Sequence, residues 1–168
     1  MRKGLIILGD LKDEDLIWLS RNGELRQVPA NQAIITAGQD VHDLFFITDG
    51  HFSVRIGDTT VAELAMGDVL GEMSFVEKRA PGASVVAQEG ARVLAIPRDR
   101  LLREFETNDG FAARFYRALS VFLSDRLRAM TPADDQDEID EGLLDTLHVA
   151  GDRMIRLIDL LEGEAATV

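Results

Sequence analysis

Between Leu25 and Ile96 the apolar residues fall in short runs broken by Gly, Asp and Asn. That pattern predicts strands over Leu25–Val28, Ala33–Thr36, Leu44–Thr48, Ser53–Ile56, Thr60–Leu64, Val85–Ala87 and Arg92–Ile96. Asp49-Gly50 and Gly57-Asp58 are hairpin signals, because tight turns between paired strands need positive φ. Several short strands with turns between them predict an antiparallel sandwich or barrel.

The flanks change period. Leu11, Leu16, Trp18 and Leu19 sit among early acids, which predicts a short helix over Asp10–Ser20 with Asp10 as its cap and Trp18 in the core or under a lid. After Pro97 a helix is expected over Asp99–Glu106. A longer one, capped by Asn108 or Asp109, should run to Met130. Its apolar face is Phe111, Phe115, Leu119, Phe122 and Leu123, with Arg114, Arg117, Arg126 and Arg128 on the other side. A face that wide can serve both its own domain and a second subunit.

Thr131-Pro132 and the acidic run ADDQDEIDE read as a solvated linker. A calcium loop does not fit, since the spacing of Asp135, Asp137, Asp140 and Gly142 is wrong and no glutamate closes it. From Ile139 to Leu161, Leu143, Leu147, Ala150, Met154, Leu157 and Leu161 recur at alternating spacings of 4 and 3, with Leu144, Ile155 and Ile158 widening the face. This helix must pack on its own domain, a sister chain or a partner protein. The organisation expected is therefore a domain over 1–131 and an acidic linker with an amphipathic tail helix over 132–168.

Charge narrows the partners. The 168 residues carry a net −12, but residues 132–168 hold 11 acids against Arg153 and Arg156, a net −9, leaving −3 for the rest. Neither part has the basic stripe that neutralises nucleic-acid phosphates, and no helix-turn-helix pattern is visible, so direct DNA binding is not expected. The absence of cysteine excludes thiolate catalysis and disulfides and fits a cytoplasmic location. The apolar GLIIL at Gly4–Leu8 is too short for a secretory signal, and no run approaches the roughly 20 residues that span a bilayer. His42, His51 and His148 are isolated and no GxSxG element is present, so neither a catalytic nor a metal site is expected.

One stretch reads as a ligand site. GDVLGEMSFVEKRAPGASVVA, from Gly67 to Ala87, sets two Gly-acid steps, a helical turn and a Pro-Gly-Ala-Ser bend between strands. Such bends direct unpaired N–H groups inward and attract anions, while Glu72 could accept from a hydroxyl pair such as a ribose.

With these features in order, the chain resembles the cyclic nucleotide-binding domain family, over roughly residues 8 to 130. The matching positions are Gly38, LFFITDGHFSVRI from Leu44 to Ile56, Gly67-Asp68, Gly71-Glu72-Met73-Ser74 and the Pro81–Val86 bend. The resemblance implies an α+β fold: an antiparallel β-roll, jelly-roll-like (a double-stranded β-helix), with an N-terminal helix and long C-terminal helices. It also implies that Glu72 accepts the ribose 2′-hydroxyl and that the N–H groups of Gly71, Glu72, Met73 and Ser74 cap a cyclic phosphate. The Ala83 and Ser84 amides and the Ser84 hydroxyl would complete the cradle.

The family's phosphate-pairing arginine falls at Gly82. A charge-assisted hydrogen bond is worth roughly 1.5 to 3 kcal/mol, so losing it should weaken cAMP binding by about one to several decades unless another cation substitutes. Lys78 and Arg79 are nearest in sequence, and Arg55 is a further cation on the roll. Expected, then, is a regulatory sensor without enzymatic activity that needs no cofactor. It would bind cAMP, cGMP or another small anionic ligand and signal through a helical homodimer or a protein partner on the tail helix. The alternative is a ligand-independent interaction module with a degenerate pocket.

Overall fold

The structure, a computed structural model, describes residues 5–130 and 141–165, with side chains described over most of that range. In chain order the elements are α1 (Leu5–Asp10), α2 (Asp13–Asn22), β1 (Glu24–Val28), β2 (Ala33–Ile35), β3 (Asp43–Asp49), β4 (His51–Ile56), β5 (Thr59–Ala65), β6 (Val69–Leu70), α3 (Glu72–Glu77), β7 (Ser84–Ala87), β8 (Ala91–Pro97), α4 (Arg98–Thr107), α5 (Asp109–Met130) and α6 (Glu141–Ala165). The described residues group into two compact units, residues 22–103 and a helical unit of residues 5–21 with 104–130 and 141–165.

The first unit is a roll of two four-stranded antiparallel sheets, ordered β1-β8-β3-β6 and β2-β7-β4-β5. This is the α+β, jelly-roll-like architecture expected. Alternation explains the interior: Phe45, Ile47, Val93 and Ala95 of one sheet meet Phe52, Val54, Val85 and Ala87 of the other in a single apolar cluster. Gly50 and Gly57 take φ of 85 and 58 at the two hairpins. At Gly50 the reason is also steric, since a Cβ there would lie 2.7 Å from that of Ala91. β6 was not anticipated; it is a two-residue pairing of Val69 and Leu70 with Phe46 and Phe45.

In the helical unit α1 packs against both α5 and α6. Ile7 and Leu8 of α1 are fully buried, so this short helix contributes to the interior of the unit. The helix expected over Asp10–Ser20 begins later. Asp10 closes α1, and α2 opens after Lys12, whose carbonyl accepts from Asp15 and Leu16 while its N–H donates to Asp15 Oδ2 at 2.8 Å. That reciprocal pairing satisfies the orphan donors of a helix start better than Asp10 could. Asn108 caps α5, its Oδ1 accepting from Phe111 N–H at 3.0 Å. Phe111, Phe115, Leu119 and Phe122 are buried, and half-buried Trp18 meets the Phe111 edge at 5.7 Å.

On α6, Ala150, Met154, Leu157 and Leu161 of the heptad seam are buried. The side chains of Leu143, Leu144 and Leu147, and of Arg126 and His148, lie outside the described residues, as does the acidic run with Asp135, Asp137 and Asp140. Arg153 Nη1 donates to the Leu8 and Gly9 carbonyls at the end of α1, at 3.3 and 3.2 Å, and Arg156 pairs with Asp13 at 2.6 Å. No helix among the described residues is long and apolar enough to cross a membrane.

Candidate functional site

The stretch from Gly67 to Ala87 is anchored to the roll in both its halves. Gly67 N–H donates to Ile47 O and Ile47 N–H to Asp68 O, both at 2.9 Å, which fastens the turn before β6 to β3. Gly71 then takes φ 83 and ψ 3 as the cap of α3. Only glycine fits, because a Cβ would stand 2.8 Å from Asp43 O and 3.2 Å from Val41 Cγ1. Glu72 follows in the first turn with 4% exposure, Phe75 enters the interior, and Met73 turns outward. The N–H groups of such a first turn have no partner within the helix.

The second half attaches to the opposite end of the same β2–β3 connection. Pro81 O accepts from Gly38 N–H at 2.8 Å, and Ser84 Oγ accepts from Ala37 N–H at 3.0 Å. The Ser84 hydroxyl keeps its own proton to donate. Ala83 packs against the roll interior. Gly82 is exposed, has ordinary φ, and would meet nothing within 4 Å if it carried a Cβ. The roll therefore holds both halves of the cassette against residues 37–43, with the position that resemblance assigns to an arginine open to solvent.

Lys78 and Arg79 lie at the other end of α3. They line a cleft of about 280 Å³ with Ser74, Arg98 and Asp99 and the loop residues Asp40, Val41 and His42. Arg55 is exposed and its Nε donates to Ser53 Oγ at 3.0 Å. A larger cleft of about 420 Å³ runs along β1, β2 and the same connection. On its wall Arg26 bonds to Glu24 at 2.8 Å and Asp43 at 2.7 Å; these bonds, Glu24's first, hold the guanidinium above its ordinary value. His51 pairs with Glu89 at 2.7 Å, and no group of residues among those described is arranged to hold a metal ion.

Sequence reading missed Arg98, which enters the smaller cleft from the start of α4. Its only signal was a basic residue directly after the Pro97 that ends β8.

A two-sheet roll with a glycine-capped helical cassette, accompanied by helices, is the β-roll fold of cyclic nucleotide-binding domains. The profile of the cyclic nucleotide-binding domain matches residues 25–108, half of the chain, and the protein belongs to that family. An uncharacterized NTE family protein of Mycobacterium tuberculosis is 29% identical over 126 residues, which is 74% of this chain and 22% of that relative. The chain thus spans about a fifth of that relative's length. A Pycsar effector protein of Xanthomonas perforans is 35% identical over 75 residues, 44% of this chain and 25% of the relative. The Thermus thermophilus catabolite activator protein shares the fold with a TM-score of 0.64 and 19% identity, over 95% of this chain and 88% of that one.

Proposed function

We propose that the chain is a regulatory sensor module that receives a cyclic nucleotide or related small anionic ligand in the Gly71–Ser84 cassette. Glu72 accepts from ribose hydroxyls, the N–H groups of Gly71, Glu72, Met73 and Ser74 face the phosphate, and Gly82, Ala83 and Ser84 close the cradle. The ligand would be cAMP or cGMP, and the module itself performs no catalysis. The helices carry the signal to a sister chain or to a protein partner through the tail helix.

The observation that carries this reading is Gly71: its left-handed backbone starts α3 where no side chain fits and places the Glu72 carboxylate in the interior beside it. A second reading, a ligand-independent interaction module, is favoured by Gly82, which offers no cation to a bound phosphate. Thermal melting with cAMP, cGMP and cyclic dinucleotides separates the two, because a ligand that prefers the native state raises the melting temperature. A concentration-dependent rise supports the sensor; no shift at millimolar ligand leaves the interaction module.

A further inference from the structure

The end of α3 is built differently from its beginning. Lys78 stops the helix at φ 53, with its N–H donating to Ser74 O at 3.0 Å. Left-handed backbone is uncommon for a residue with a side chain. Lys78 and the following Arg79 stand on one wall of the 280 Å³ cleft, and Arg98 stands on another.

Arg98 is fixed in place by backbone. Its N–H donates to His42 O at 2.9 Å, which secures the start of α4 to the β2–β3 connection. Its guanidinium makes one long contact, Nη1 to Ser74 O at 3.5 Å, and its buried Nε has no hydrogen-bond partner among the described residues. A guanidinium has five N–H donors, and buried donors are normally satisfied. Much of the hydrogen-bonding capacity of Arg98 is therefore unused among the described residues.

The charge of the cleft points the same way. Lys78, Arg79 and Arg98 outnumber Asp40 and Asp99 there, on a chain whose net charge is −12. We propose that this cleft is a second anion site, separate from the cassette, that binds a small phosphate monoester bearing hydroxyl groups. The phosphate meets Lys78, Arg79 and the Arg98 guanidinium, and the two carboxylates accept from the ligand's hydroxyls. Those carboxylates disfavour a bare anion, and the volume falls just below the roughly 300 to 1,000 Å³ usual for drug-sized ligands, which suits a small one. Occupancy would tie the end of α3 to the start of α4. The proposal stands whether or not the cassette binds a nucleotide.

The test is a titration of the full chain, isotopically labelled, with inorganic phosphate and with a 5′-nucleoside monophosphate, following backbone amide resonances. The expected result is saturable shifts at Val41, Lys78, Arg79 and Asp99. The monophosphate should bind more tightly than inorganic phosphate, and added salt should weaken both. Replacing Lys78 and Arg79 together by Gln alters two exposed side chains and should weaken binding by about tenfold or more. As a second handle, Asp40→Asn should tighten inorganic phosphate. Absence of saturable shifts at the cleft overturns the proposal, as do shifts confined to residues 71–74 and 82–84 that survive the Lys78/Arg79 replacement. Equal affinity for the two probes removes the role given to the carboxylates.

Discussion

Arg114 grips Asp15 across 99 residues of chain with two hydrogen bonds of 2.8 Å, Nε to Oδ2 and Nη2 to Oδ1. Asp15 is 1% exposed and also accepts from Lys12 N–H, so one carboxylate both starts α2 and ties it to α5. Removing one partner of a buried pair leaves a charge without compensation. Arg114→Ala should therefore lower stability by about 2 to 3 kcal/mol, at or below the roughly 3 to 5 kcal/mol of fully buried pairs because the Arg114 side chain keeps some exposure. Arg114→Lys should recover less than half, since an ammonium cannot form the planar fork. Chemical denaturation of the three proteins gives the measurement.

The same pair fixes a pH expectation. The hydrogen bonds that Arg114 donates to Asp15 hold the guanidinium above its ordinary value, so the folded state binds that proton more tightly than the unfolded state. The stabilisation is complete below the unfolded value and is lost only as pH rises through the folded one, in strong alkali. The stability gap between the native protein and Arg114→Ala should hence be flat from about pH 6 to about 9. A slope in that window would assign the coupling to another group.

Gly71 and Gly82 should respond unequally to alanine. At Gly71 the new Cβ meets a backbone oxygen at 2.8 Å with φ at 83. Such strain costs of order 1 to 3 kcal/mol before any clash is relieved. At Gly82 the Cβ meets nothing within 4 Å, and the change should stay within about 0.5 kcal/mol. Denaturation midpoints of the two variants decide it, and equal losses would mean that the turn at Gly71 is not held against Asp43.

The roll was legible because its signals are contiguous, and so were the turn, helix and bend in which the proposed cassette lies. The apolar run Leu44–Thr48 and the alternating Ser53–Ile56, with Asp49-Gly50 between them, state a hairpin in one window, and Gly71 to Ser84 lie in one short run. What was missed lacks a period or is assembled from distant segments. β6 is two residues long, too short to alternate, and exists because β3 offers it an edge. α1 is a six-residue helix whose LIILGD sequence has no capping residue before its apolar run, and its stability comes from burial of Ile7 and Leu8. The cleft of Arg98 joins Asp40, Lys78 and Asp99 from three separate segments, and no local spacing announces it. For α2 the signal was present but misread, because an acid three residues into a helix start, Asp15 after Lys12, marks the cap more securely than the first acid met.

The tail helix offers a test of assembly. Leu157 is fully buried, whereas Ile155 is 60% exposed and Leu127 of α5 is 67% exposed. Leu157→Ala should cost about 2 to 5 kcal/mol. Ile155→Ser with Leu127→Ser should leave stability of the isolated chain nearly unchanged. If those faces form the homodimer seam proposed above, the double variant shifts the monomer–dimer balance toward monomer when mass is measured over a concentration series. An unchanged balance removes these faces from the seam.

Gly82→Arg tests the cassette itself. The site lies in the bend that Pro81 O and Ser84 Oγ fasten to Gly38 and Ala37, and its Cβ position is open, so an arginine can be carried without disturbing either bond. If the N–H groups after Gly71 and the Glu72 carboxylate form a cradle for a cyclic phosphate, the added guanidinium supplies a charge-assisted hydrogen bond worth roughly 1.5 to 3 kcal/mol. Affinity for cAMP should then rise by about tenfold to a hundredfold over the native chain, read by calorimetry. The rise should disappear in Glu72→Ala with Gly82→Arg, because ribose and phosphate contacts act on one ligand. A Gly82→Arg protein that folds and melts like the native chain yet gains no affinity would assign the cassette to structure alone, leaving the helices and the Arg98 cleft to carry any signal.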